Sequence, residues 1–409
     1  MLRVAWEGKC NNKPRETPMT TSSGASTSLA RFSPVALLLF AIPSVLATTA
    51  AAAAQVVNVA NNGVDSSVCG TSTKPCRSIS QAILNASVGD EVLVSPGIYG
   101  DIDGDGDANS PGEDGQGAGN GGVLVNVNRP LAIYSSAGAE ATIIRSPLIT
   151  GVFAVVWVSA NGVTFGREGG GFTLVGAGTT STTSLSKGLV VTGGNVHAAG
   201  NVATNNRFDG FSLDLSNGPV YLSGNLATRN DTGFQVLSQN TASFAVLDGN
   251  VATDNTQVGV GVTGLAPHVL RNNRVSRNNI GIGLNFGSFE FHDNIVVANT
   301  TYGFYSNGPQ ASLFVGNSVH GNGSGGFRFV FGARDNVVHL NNIFGNGNAP
   351  GAENCGVKNE SGGLLHAANN YWGAADGPGP DPADRARSVC EAGGRTTTIP
   401  FATQPFPIE

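Results

Sequence analysis

An asparagine that returns about every 24 residues constrains this chain more than any other feature. Aligned on Gly/Asn/Asp-Asn, the series runs Asn201, Asn225, Asn250, Asn273, Asn294, Asn317, Asn342 and Asn370, at intervals of 24, 25, 23, 21, 23, 25 and 28. A second asparagine follows five residues later at Asn206, Asn230, Asn255, Asn278, Asn299 and Asn322. Each unit is too short for a strand-helix-strand module, which takes about 30 residues or more. Its apolar residues alternate, as in Phe211-Ser212-Leu213 and Phe327-Arg328-Phe329, which is the period of a strand. Such a unit has nothing to cover its own apolar side, so units must stack, each coil pairing with the next at about 4.8 Å. Equivalent residues then lie above one another. The asparagines become hydrogen-bonded ladders at corners that tolerate left-handed backbone. The column Phe211, Phe234, Val260, Ile282, Phe304 and Phe327 becomes an interior stack.

Weaker alternation over residues 123–200 predicts about three further coils, and Ser78-Ile79-Ser80-Gln81-Ala82-Ile83-Leu84-Asn85-Ala86-Ser87 fits a short amphipathic helix capping one end. Only 12% of residues are charged and 58 are glycine, in keeping with a turn-rich all-β chain. The first 54 residues differ: Arg31 precedes the apolar run Val35 to Ala47 and an alanine tract, the layout of a secretory signal peptide. That run is shorter than the roughly 20 residues a membrane span needs. The expected organisation is a leader at 1–54, a cap and Asp/Gly-rich loop at 55–122, coils at 123–370 and a closure at 371–409. Without the leader the chain carries 17 basic and 26 acidic residues, a formal charge of −9. That balance argues against nucleic acid as a partner.

Four cysteines remain after the leader: Cys69, Cys76, Cys355 and Cys390. An even number in an exported chain favours disulfides. Two of the three connectivities would tie one end of a stacked rod to the other, beyond disulfide reach. The expected pairs are therefore Cys69 with Cys76 and Cys355 with Cys390. Zinc is the weaker reading, because the spacing does not match a zinc knuckle.

The run Pro75-Cys76-Arg77-Ser78-Ile79-Ser80-Gln81-Ala82-Ile83, then Gly89-Asp90-Glu91-Val92-Leu93-Val94-Ser95-Pro96-Gly97-Ile98-Tyr99, resembles the opening segment of the pectate-lyase-like, right-handed parallel β-helix superfamily. The close Asn369-Asn370-Tyr371-Trp372-Gly373, followed by Asp376-Gly377-Pro378-Gly379, is similar to the ending of bacterial β-helix-repeat proteins of that group. The resemblance implies an all-β chain folded as a single-stranded right-handed parallel β-helix, a solenoid with a short N-terminal capping helix. It specifies no activity, because the superfamily includes lyases, hydrolases, epimerases and adhesins.

Four groups of residues carry candidate chemistry. Asp101, Asp103, Asp105, Asp107 and Asn109, with Gly106 at the sixth position, match the first half of an EF-hand-type loop and predict calcium. The twelfth position is Gly112, although Glu113 and Asp114 follow. A solvated Asp/Gly loop is the plainer alternative. Asp209 and Asp231, with Arg229 between them, form a candidate catalytic cluster, since neighbouring carboxylates could serve acid-base work on a glycoside. Asp214, Asn285, Tyr305, Asn307 and Arg328 lie beside the interior column and are candidates for a sugar-binding face. Arg229, Asp254 and Arg277 each fall four residues after a ladder asparagine, which places plus, minus and plus in one ion-paired column. Two readings follow. One is a secreted, periplasmic or cell-surface monomer that binds or acts on polysaccharide along its solenoid face; if an enzyme, it would be a polysaccharide lyase or glycoside hydrolase. The other is a non-catalytic surface or matrix scaffold.

Overall fold

The computed structural model describes residues 53–104, 113–114, 122–147, 153–176, 186–308, 311–379, 383–386 and 390–407. Short alternating strands separated by sharp corners put three strands in each coil. Asp209–Leu215, Val220–Ser223 and Leu226–Thr228 make one coil; Thr232–Ser238, Ala245–Asp248 and Val251–Thr253 make the next. Equivalent strands pair in parallel from coil to coil and build three sheets. Among the described residues, sheet 1 has thirteen strands, from Val56–Val59 to Arg395–Thr397. Sheet 2 has ten, from Val123–Val127 to Val357–Glu360, and sheet 3 has ten, from Gly97–Gly100 to Asn342–Phe344. The expected parallel β-helix is present. Residues 123–204 contribute three coils of it, and strands at 56–59, 91–94 and 97–100 already belong to sheets 1 and 3.

The single described helix, Ile79–Asn85, is set by Ser78, whose Oγ accepts the Gln81 N–H at 3.1 Å, an N-cap that satisfies one of the free amides of the first turn. Ile79, Ala82 and Ile83 are buried against Val56–Val59, Glu91–Val94 and Val123–Val127. The helix covers a core end whose strand edges would otherwise be open to pairing. At the other end Asn359 donates its N–H to the Cys390 carbonyl at 3.0 Å. Both disulfides form as expected, Cys69–Cys76 and Cys355–Cys390.

The interior column is as the repeat implies. Phe211, Phe234, Val260, Ile282, Phe304 and Phe327 are paired in unbroken register, and none is more than 2% exposed. Parallel register puts the rings of Phe211 and Phe234, and of Phe304 and Phe327, face to face with centroids 4.8 Å apart. That is the coil spacing itself, so each buried ring contributes apolar burial, worth about 1.5–3 kcal/mol for a side chain of this size, and a stacking contact.

Both asparagine ladders turn corners and are buried. In each step one Oδ1 accepts two hydrogen bonds from the preceding coil: Asn225 accepts the Asn201 N–H at 3.0 Å and the Asn201 Nδ2–H at 3.2 Å. The Asn225 Nδ2 in turn donates to the Ala198 carbonyl at 2.9 Å. Two details differ from the expectation. The first ladder runs through Asn341, which accepts from Asn317 and donates to Asn370. Asn342, its neighbour in a tandem pair, instead holds Phe406. The left-handed residue is the one before the ladder asparagine, such as Asn272, Asp293 or Leu340, and Arg229, Asp254 or Arg277 in the second ladder. This explains why Gly, Asn or Asp so often precedes the repeating asparagine: the corner needs a residue that adopts positive φ at little cost. The second ladder ends where Asn346 donates to the buried Asp384; a carboxylate only accepts, so it suits a terminus. Replacing Asn250 by Ala would strand the Asn225 N–H and Nδ2–H in the core. Two buried donors lose their acceptor, and the expected loss is about 2–4 kcal/mol in urea-induced unfolding.

The buried ring of His268 locks a wider coil. Its Nδ1 accepts the Ala245 N–H at 2.9 Å, which leaves Nε2–H to donate to Ser238 Oγ at 3.0 Å. Burial pushes its pKa down to about 4. A histidine whose folded pKa is depressed contributes stability that is present above its ordinary value and lost as pH falls towards the folded one. Between about pH 6.5 and 4 the native protein is therefore expected to lose on the order of 3 kcal/mol more than a His268→Gln variant. Paired denaturant titrations at the two pH values measure that difference.

Candidate functional site

Sheet 2 has the longest strands, up to seven residues, and therefore the broadest outer face. Period-two alternation sends the residues between the buried ones outward. Ser212, Gln235, Gly261, Gly283, Tyr305, Arg328 and Lys358 form one outward column by register. Asp214, Thr263, Asn285 and Asn307 belong to the next column. The five predicted sugar-face residues thus do share one surface, with Asn307 Nδ2 donating to Asn285 Oδ1 at 3.1 Å.

Chemistry concentrates at the C-terminal end of this face. The Arg328 guanidinium lies 5.2 Å from the Tyr302 ring centroid and 5.5 Å from that of Tyr305, within cation–π range. Its Nε donates to Glu360 Oε2 at 2.7 Å. Lys358 Nζ is 2.9 Å from Glu353 and 3.7 Å from Glu360. Partial burial works to lower the Arg328 pKa, yet the Glu360 hydrogen bond and the adjoining Tyr302, Glu360 and Tyr305 hold it above the ordinary arginine value. The hydrogen bond that Lys358 donates to Glu353, opposed by desolvation, raises the Lys358 pKa. Both side chains are therefore fixed cations. They can neutralise an anion, but neither is poised to take up a proton. Tyr302 and Lys358 also line a cleft of about 410 Å³, walled by Ser324 and the loop Ala349 to Glu353.

A smaller cluster sits towards the N-terminal end. Lys187 Nζ bridges Asp209 at 2.8 Å and Ser212 Oγ at 2.9 Å, and lies 5.7 Å from the Phe153 ring centroid. The two carboxylates of the expected catalytic group have different partners here. Asp209 pairs in register with Thr232, so Asp231 falls one residue outside the strand, where it accepts from Thr256 Oγ1 at 2.9 Å. Arg229 lies in the corner at φ 56°, below Asp254. The cation on Asp209 is Lys187. The physical reason is that the strands align their glycines: Asp209 adjoins Gly210, whereas Asp231 stands two residues before Gly233.

Of the expected ion-paired column, the Asp254–Arg277 pair forms. Arg277 holds Asp254 through two hydrogen bonds of 2.7 Å, and this contact keeps the Asp254 carboxyl below its usual range. Of the predicted calcium ligands, Asp105, Asp107 and Asn109 lie outside the described residues. Asp101 and Asp103 meet Glu113, with carboxylate oxygens within 4.8 Å of one another. These are the described side chains able to hold a hard cation. Beside them Asp114 is fully buried, accepting from the Ser80 and Gly100 amides, and burial raises its pKa to about 6.

A family model described as a right-handed β-helix region matches residues 187–370. That match and the three parallel sheets give the chain the fold of a right-handed parallel β-helix. Among solved structures, this β-helix protein is similar to the A-module of the Azotobacter vinelandii mannuronan C-5 epimerase AlgE4, at 17% identity and a TM-score of 0.56, over 78% of this chain and 89% of that one. The AlgE6 A-module of the same organism gives 16% identity and a TM-score of 0.51, over 78% and 92%. The Dettilon tailspike protein gives 13% and 0.52, over 83% of this chain and 68% of that one. No curated protein matches the β-helix protein's sequence. At these identities the likeness establishes the fold.

Sequence reasoning missed Tyr302, Lys358, Glu353 and Glu360. Two signals pointed to them. Tyr302 precedes Gly303 as Asp209 precedes Gly210, which puts both in one outward column. The long last interval of the repeat holds the insertion that walls the cleft.

Proposed function

We propose that the β-helix protein is exported and binds an acidic polysaccharide along the outer face of sheet 2. One observation carries this reading: Tyr302, Tyr305, Arg328 and Lys358 converge on that face beside the cleft. A carboxylate-bearing sugar needs a fixed cation for its charge and a flat apolar surface for its ring, and the cluster offers both. The structural neighbours include mannuronan epimerases, proteins that act on a polymer of this class. Two disulfides suit an oxidising compartment. No helix among the described residues is long and apolar enough to cross a membrane.

Binding is the function proposed, with turnover as a measured quantity, because Arg328 and Lys358 are held protonated and Asp209 is held by Lys187. The test is affinity electrophoresis and calorimetry on polymannuronate, polygalacturonate and neutral dextran. Retention by the polyuronates alone, weakening as salt is added, is expected. The double variant Arg328→Ala, Lys358→Ala should bind about tenfold more weakly or worse. Equal indifference to every polymer at low ionic strength would sink the reading. Release of unsaturated uronates during the same incubations would show a lyase.

The calcium expected at Asp101 and Asp103 is retained in the proposal with Glu113 as a third ligand, supported by the convergence of their carboxylates. Titrating calcium chloride alone into the protein should give saturable heat that Asp101→Asn removes. Absence of heat in the native protein would leave a solvated acidic loop.

A further inference from the structure

We propose that Phe286 and Phe331 form an aromatic edge to the sheet 2 face on which sugar rings of the bound polysaccharide stack; this deepens, and rests on, the binding reading above. The argument begins with backbone cost. Thr263, Asn285, Asn307 and Val330 are paired in register, so the next residues, Gly264, Phe286, Gly308 and Phe331, occupy one position in four successive coils. All four have positive φ: 139°, 52°, 108° and 48°. Glycine adopts such angles freely, and a bulky aromatic is the costly choice there.

A second cost adds to the first. Phe286 is 56% exposed and Phe331 is 77% exposed, whereas Phe304 and Phe327, on the two strands that lead into Gly308 and Phe331, are fully buried. Neither burial nor backbone ease accounts for phenylalanine at these corners, and strained backbone that persists is a feature of functional positions. Exposed apolar groups arranged in a row mark a contact surface. Here the row is regular. Gly, Phe, Gly and Phe alternate, so the backbone positions of Phe286 and Phe331 are two coils apart, about 9.6 Å. Gly308 makes room for the first ring: a Cβ there would meet the Phe286 ring at 3.1 Å. Leu265, 59% exposed beside Gly264, extends the apolar edge.

The edge is continuous with the proposed site. Phe331 follows Arg328 by three residues, just past the end of its strand, and Gly308 follows Tyr305 by three, just past the end of the neighbouring one. A polysaccharide lying along the coil axis over Arg328 and Lys358 would run beside both rings. A two-coil separation is close to two sugar units of an extended chain, so the phenylalanines would take alternate residues, offering their faces to the C–H faces of the sugars.

Asparagine is the variant of choice, because this fold already holds Asn195, Asn205, Asn272 and Asn369 at positive φ. The full chain carrying Phe286→Asn and Phe331→Asn is compared with the native protein in polyuronate binding, thermal unfolding and light scattering. Binding weaker by about tenfold, with a melting temperature unchanged or raised by about 2 °C as strain is relieved, would support the proposal. A native protein that binds, an Arg328→Ala variant that binds weakly and a double phenylalanine variant that binds normally would overturn it while leaving the binding reading intact. A melting temperature lowered by several degrees would assign the rings a packing role and overturn it. A native dimer that the double variant dissociates would make the edge a contact between copies, and would likewise overturn it. Failure of the native protein to bind any polymer would remove both readings together.

Discussion

Parallel stacking at a fixed spacing is the constraint on which the rest of this structure depends. A coil of three short strands has no interior of its own, and its core exists only because another coil lies on each side. Register is therefore enforced three times per turn, and the corners are where it is most vulnerable. The asparagine ladders protect it there. Each buried amide takes two hydrogen bonds from the coil before and gives two of its own, so a slip of one residue would orphan several polar groups in an apolar interior. Backbone conformation and side-chain chemistry are divided between adjacent residues: the first supplies positive φ, the second the amide.

The same stacking turns spacing along the chain into geometry on the surface. Residues about two dozen apart become neighbours at the distance of a hydrogen bond or a ring stack, so the phenylalanine pairs stack inside and Arg277 grips Asp254 outside. A binding face on such a scaffold needs no special folding event. It needs only that outward positions in several consecutive coils carry compatible chemistry, with an insertion to wall one side. The cleft beside Tyr302 arises in this way, from an outward tyrosine, two outward cations one coil apart and a lengthened corner. The ion pairs around Arg328 and Lys358 have a cost as well as a use. Their partners Glu360 and Glu353 keep both cations charged, and an incoming carboxylate must compete with those partners.

Much was legible in the amino-acid sequence, for a physical reason. Repetition makes the core column, the ladders, the disulfide pairs and the Arg229–Asp254–Arg277 column consequences of periodicity, and periodicity is visible in one dimension. The tandem Asn341-Asn342 shows the limit of that reading: both residues fit the motif, and only the corner geometry decides which amide faces inward. Asp209 and Asp231 show it again. Each precedes a glycine by a different number of residues, and pairing in the sheet follows the glycines, which sends the first carboxylate to Lys187 and the second into a turn.

The sequence by itself determined that coils stack, which residues share a column and which of them face the core, because a period of two within strands and of about 24 between coils leaves no other arrangement. Only the tertiary structure decided the site. Tyr302, Arg328 and Lys358 come from three different repeats, and Glu353 from an insertion that breaks the repeat. Their convergence depends on the path of that insertion and on side-chain ion pairs. The exposed Phe286 and Phe331 belong to the same category, since hydrophobic pattern alone assigns a phenylalanine to the core, and only the left-handed corner places these two in water.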